Sequence, residues 1–97
     1  MEISKKNEAG VLNVALSGRL DTVTSQELTK SLEGESGFEK IVFDFSALEY
    51  ISSSGLRLLF FYNKKLGGKD KVVVISPNAL VSEIFRVTGF DKQITIE

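Results

Sequence analysis

Leu12, Val14 and Leu16 alternate with Asn13 and Ala15, a period of two that predicts a half-buried strand over Val11 to Leu16. A shorter strand around Ile3 precedes it, and Asn7-Glu8-Ala9-Gly10 supplies the turn of an opening hairpin. Ser17-Gly18-Arg19-Leu20-Asp21 then reads as an exit from the sheet. The period changes next. Thr24-Ser25-Gln26-Glu27 has the spacing of a capping box, with Val23 and Leu28 placed as a hydrophobic staple, and predicts a first helix running to about Glu33 and ending at Gly34. After the polar connection Glu35-Ser36-Gly37, the run Ile41-Val42-Phe43-Asp44-Phe45 is apolar without alternation, as in a central strand covered on both faces.

The short connection Ser46-Ala47-Leu48-Glu49 leads to a second helix from about Ser53 to Leu66, stopped by Gly67-Gly68. Val72-Val73-Val74-Ile75 repeats the buried-strand pattern and is expected to pair parallel to the previous strand. Ser76-Pro77 offers an N-cap followed by proline at the first helical position, and Leu80, Val81, Ile84, Phe85 and Thr88 trace one face of a third helix before Gly89. Ile94-Thr95-Ile96 closes the chain as a short strand. Strands alternating with helices after a hairpin predict an α/β fold, a mixed sheet of four to five strands with about three helices packed on it. In such sheets, sites gather beyond the carboxyl ends of the strands.

Composition narrows the chemistry. The 97 residues predict one domain, residues 1–97, without repeat or linker. Twelve basic and thirteen acidic residues leave a net charge of -1, so no overall field attracts nucleic acid or an anionic membrane, and the expected partner is protein. The chain has no cysteine and no histidine, which removes the thiolate nucleophile, the imidazole base and the usual zinc ligands. No pair of carboxylates is placed for acid–base work or a metal, and no nucleophile–base pair is visible. A non-enzymatic protein without cofactor is expected. An N-terminus lacking an apolar signal core, and apolar runs too short to span a bilayer, predict a cytoplasmic location.

The candidate site is Tyr50-Ile51-Ser52-Ser53-Ser54-Gly55-Leu56, at the passage from strand to helix. A helix start presents unpaired N–H groups and partial positive charge, which stabilise an added phosphate. Serines before a helix usually cap it, but one cap needs one serine. Three in a row, followed by a glycine that permits close approach of a ligand or partner, leave both capping and a switch open. On the second helix, Leu56, Leu59 and Phe60 share an inward side while Arg57, Lys64 and Lys65 share the outward one. Phe61 projects among the cations, either as an isolated surface aromatic or as part of a binding face with Arg57. Asp21 either accepts N–H bonds before the first helix or contacts a partner.

Three segments together resemble the anti-sigma factor antagonist family, whose domain is called STAS. Ser17-Gly18-Arg19-Leu20-Asp21 is similar to its Gly-x-Leu-Asp segment, Phe43 to Leu48 with Ile51 to Leu56 to its Asp-Ser-Ser-Gly-Leu signature, and Val87-Thr88-Gly89-Phe90 to the end of its third long helix. The resemblance covers nearly the whole chain. It implies a partner switch. An unmodified domain binds an anti-sigma factor that is also a serine kinase, releasing a sigma factor, and phosphorylation at Ser53 ends the binding; a PP2C-type phosphatase is a further implied partner. Asp21, Ser52, Ser54 and Gly55, together with Arg57 and Phe61 from the outward side of the second helix, are the expected partner contacts, and the topology adds an expected repulsion of the phosphate from Asp21, Asp44 and Glu49. Ser52 stands where regulatory members commonly have Asp, which leaves it a rival acceptor. A final helix of many relatives is expected to be absent after Glu97, leaving open the apolar face it would cover. Some relatives bind small molecules or attach to carriers, so a ligand-binding or transport-associated role is the alternative.

Overall fold

The computed structural model describes residues 1–68 and 70–97. The strands are β1 (Glu2–Glu8), β2 (Val11–Leu20), β3 (Lys40–Ile51), β4 (Val72–Ile75) and β5 (Thr95–Ile96), and the helices are α1 (Thr22–Glu33), α2 (Ser53–Lys65) and α3 (Ala79–Thr88), with a 3₁₀ turn at Phe90–Lys92. The sheet runs β1-β2-β3-β4-β5; β1 is antiparallel to β2 and the other neighbours are parallel. This is the expected mixed α/β sheet with an opening hairpin. Ala9 and Gly10 close that hairpin at φ 53° and 84°, the positive values that suit the right-handed twist of the flanking strands.

Three strands are longer than their sequence pattern predicts: in β1, Asn7 and Glu8 pair with Leu12 and Val11 instead of turning, and β2 and β3 run on past their apolar stretches. Ser17 to Leu20 does not leave the sheet: Ser17 pairs with Ala47, Gly18 with Leu48, Arg19 with Tyr50 and Leu20 with Ile51. Register shifts lie between Ala15 and Ser17 and between Gly18 and Arg19, and Gly18 takes φ 96°. Bulges of this kind break the period of two while the ladder continues. Ser46 to Glu49 is correspondingly strand rather than connection. Asp44 accepts the Ser46 N–H at 2.9 Å where the pattern slips, so inward side chains pass from Phe43 and Phe45 to Leu48 and Ile51.

Cover on both faces of β3 is also corrected. Ile41, Phe43 and Phe45 are fully buried, whereas Val42 and Asp44 are half-buried on the other side. The three helices share the side of Leu12, Val14, Ile41, Phe43, Phe45, Val72 and Val74, and among the described residues no helix covers the opposite face. The core is tied across elements by aromatic contacts, Phe45 to Phe85 at 6.3 Å, Phe85 to Phe90 at 5.9 Å and Phe90 to Phe60 at 6.4 Å between ring centroids. Such pairs add roughly 0.5–1.5 kcal/mol each beyond the area they bury.

The helix starts also differ from expectation. Asp21, not Thr24, caps α1: its carboxylate accepts the N–H groups of Val23 and Thr24 at 3.1 and 3.0 Å, and the Thr24 hydroxyl accepts the Asp21 N–H at 2.8 Å. Thr24 is therefore the third helical residue of a capping box, and Val23, 67% exposed, staples nothing. Asn78 caps α3 in place of Ser76, whose φ of 56° and N–H bond to the Glu97 carbonyl keep it in the sheet-side turn. On α2 the inward residues are Gly55, Leu58, Leu59 and Tyr62, with Leu56 and Phe60 packed at the core's margin rather than at its centre.

Candidate functional site

Since Leu20 and Ile51 are register partners, β2 and β3 end side by side, and α1 and α2 begin together above them. The Ser52 N–H donates to the Leu20 carbonyl at 2.9 Å, which locks the start of α2 to the end of β2. Asp21 and the serine triplet thus share one end of the sheet, as the topology predicts. The three serines then separate by role. Ser52 is the cap, its hydroxyl oxygen accepting the Gly55 N–H at 3.4 Å. Ser54 meets the Thr22 hydroxyl at 3.2 Å across the two helices. Ser53, the first residue of α2, is exposed, and neither of these bonds engages it.

Gly55 is placed by packing, which corrects its reading as a surface point of approach. A Cβ on Gly55 would lie 2.7 Å from Ile51 Cγ1 and 3.0 Å from two Leu20 carbons. Glycine therefore lets α2 start close to the sheet and sets the height of the serines, while being buried itself. Arg57 and Phe61 project outward one and two turns further on, Phe61 being 55% exposed. Lys65 lies 5.9 Å over the Phe61 ring and Lys64 lies 5.4 Å over Phe60, so aromatic and cationic side chains form one continuous face.

Between α1 and α2 runs a groove of about 670 Å³, bordered by Thr22, Ser25, Lys30, Ser54, Arg57 and Phe61. The Ser25 hydroxyl is buried there without a hydrogen-bond partner among the described residues. Thr22, Ser25 and Lys30 escape the sequence reading: a helix begun at Thr24 puts Thr22 outside it, and Ser25 and Lys30, inside that helix, meet the groove only once α1 packs beside α2; with Asp21 as cap, the α1 spacing assigns Thr22 to the first turn. Asp21 caps α1 through one carboxylate oxygen, Oδ1, and its carboxyl is held below the ordinary value mainly by the Thr24 N–H, with help from the Thr24 hydroxyl. Asp44 is not beside Ser53. It pairs with Ala15 and Ile75 in mid-sheet, on the helix-free face. Glu49 ends near α3 instead, its carbonyl bonded by the Asn78 amide at 3.4 Å.

The fold and this site define a single α/β domain that presents an exposed helix-start hydroxyl beside a basic, aromatic helix face. The chain belongs to the STAS domain family, whose model matches residues 2–97. It is 28% identical over 86 residues to the anti-sigma-F factor antagonist RsfB of Mycobacterium tuberculosis, covering 86% of this chain and 70% of that one. The crystal structure of an anti-sigma factor antagonist from Mycobacterium paratuberculosis superposes with a TM-score of 0.84 at 27% identity, over 98% of this chain and 83% of that one. The anti-sigma factor antagonist SpoIIAA in its unphosphorylated form shares the fold, with a TM-score of 0.78 at 16% identity over 99% of this chain and 88% of that one. Among the described residues no helix is long and apolar enough to cross a membrane.

Proposed function

We propose that residues 1–97 act as one anti-sigma factor antagonist domain, a cytoplasmic regulator rather than an enzyme. Its unmodified form binds an anti-sigma factor that is also a serine kinase, through the face formed by Asp21, Ser52, Ser54, Arg57 and Phe61, with Gly55 setting its height. Release of a sigma factor follows, phosphorylation of Ser53 ends the binding, and a PP2C-type phosphatase restores it. The observation that carries this reading is the division of labour among the serines: Ser52 caps, Ser54 bridges to Thr22, and Ser53 stands exposed. The family and its antagonist relatives support it.

A phosphate adds about −1.5 to −2 charges and three acceptor oxygens. At the first position of a helix this charge meets the positive end of the dipole, so the fold tolerates it, while burying it in an interface is costly. Incubation with the anti-sigma factor kinase of the same genome and ATP is the test. Ser53→Ala is expected to abolish incorporation, whereas Ser52→Ala and Ser54→Ala retain it; undiminished rate and stoichiometry in Ser53→Ala overturn the assignment. A ligand-binding or transport-associated role is the second reading, favoured by the groove between α1 and α2. Heat on titrating nucleotides or lipids, with none from the kinase, would favour it.

A further inference from the structure

Arg57 follows Ser53 by four residues on α2, the separation at which side chains on a helix surface are neighbours, roughly 5–6 Å between Cβ atoms. Both are exposed. Among the described residues no carboxylate lies within ion-pair distance of the Arg57 guanidinium, and α2 contains no acidic residue. Arg57 borders both the groove beside α1 and the basic, aromatic patch of Phe60, Phe61, Lys64 and Lys65. It therefore stands at the centre of the outward face, one turn from the exposed hydroxyl and free to pair.

From this juxtaposition we infer that Arg57 is the internal receptor for a phosphate on Ser53. The phosphoserine oxygens accept two N–H bonds from the guanidinium fork, a geometry that a lysine point charge does not supply. The inference rests on the reading of Ser53 as phosphoacceptor and adds what the phosphate does once attached. Pairing withdraws Arg57 from the partner, and the local charge changes from about +1 to between about −0.5 and −1. The repulsion that ends binding then comes from the anion on the partner that Arg57 no longer meets. The group that Arg57 meets in the unmodified protein is accordingly an anion, a carboxylate on the anti-sigma factor.

The test installs phosphoserine at position 53 by genetic encoding, so it does not depend on any kinase, and follows the phosphate by ³¹P NMR against pH. Arg57→Gln and Arg57→Lys are compared with Lys65→Gln, whose site lies roughly 18 Å along the helix axis. The other charged groups at this end and on α1, namely Arg19, Asp21, Glu27, Lys30, Glu33 and Glu49, are the same in every protein. The second ionisation of the phosphate is expected to rise by roughly 0.2–0.7 unit in Arg57→Gln, less in Arg57→Lys and not at all in Lys65→Gln. The Arg57 Nε–H resonance is expected to move on phosphorylation. Ionisation in Arg57→Gln within about 0.1 unit of wild type overturns the pairing, whatever the kinase assay on Ser53→Ala shows. Loss of the kinase result with the NMR shift intact instead removes the functional reading and keeps the pair. Because Arg57 is exposed, unchanged thermal melting of the unphosphorylated variants separates both outcomes from misfolding.

Discussion

Adding one methyl group at Gly55 tests whether the serine triplet is held by packing. In Gly55→Ala the new Cβ would sit 2.7 Å from Ile51 Cγ1 and 3.0 Å from Leu20 Cγ and Cδ2. Both neighbours are fully buried, and the contacting atoms Ile51 Cγ1 and Leu20 Cγ are mid-chain, so they have little room to retreat. Overpacking of this kind costs about 1–3 kcal/mol, and replacing a helical glycine by alanine returns about 0.5–1 kcal/mol. The net expectation is a destabilisation of about 1–2 kcal/mol, or a fall in Tm of roughly 5–15 °C for a domain of this size. Urea denaturation of Gly55→Ala, Ile51→Ala and the double variant measures it. Ile51→Ala alone opens a cavity and costs about 2–5 kcal/mol, and the methyl group added at position 55 then has space to fill. The double variant should thus be more stable than the sum of the singles by about 1–2 kcal/mol. Additivity within about 0.5 kcal/mol would refute the contact.

Three further outcomes are expected. Ser52→Ala should cost about 0.5–1 kcal/mol through loss of the α2 cap while phosphate incorporation at Ser53 persists; loss of incorporation without loss of stability would reverse the roles given to the two serines. Phe61→Ala should leave urea stability within about 0.5 kcal/mol of wild type and weaken binding to the anti-sigma factor by roughly tenfold or more, as loss of an aromatic anchor does; unchanged affinity by calorimetry would remove Phe61 from the face. For Asp21, bonding to Thr24 lowers the folded-state pKa below the unfolded one, so the carboxylate's contribution is complete above about pH 4 and is lost as pH falls through the folded value. The Tm gap between wild type and Asp21→Ala should therefore narrow on acidification from about pH 7 to about pH 2.5, and a constant gap would contradict the capping bond.

The order of elements, the parallel centre of the sheet and the placing of Asp21 and Ser52-Ser53-Ser54 at one end are legible in the residues alone. These follow from local rules: periodicity, caps, glycine stops and the rule that sites gather at strand carboxyl ends. Composition likewise removes the thiolate, the imidazole and the disulfide before any coordinates are known. Tertiary structure decided the rest. Bulges at Ala15/Ser17 and Gly18/Arg19 keep β2 and β3 paired to their ends, and because a bulge breaks the period of two, the local hydrophobic pattern reads as the end of a strand where the ladder in fact continues. Whether β3 is covered on one face or two depends on where helices distant in sequence land, which is why Asp44 reads as a neighbour of Ser53 until its face is seen. Gly55 has the same history. Its missing side chain suggests room for a partner, and only the approach of Leu20 and Ile51, brought there by the pairing of β2 with β3, shows what fills that room.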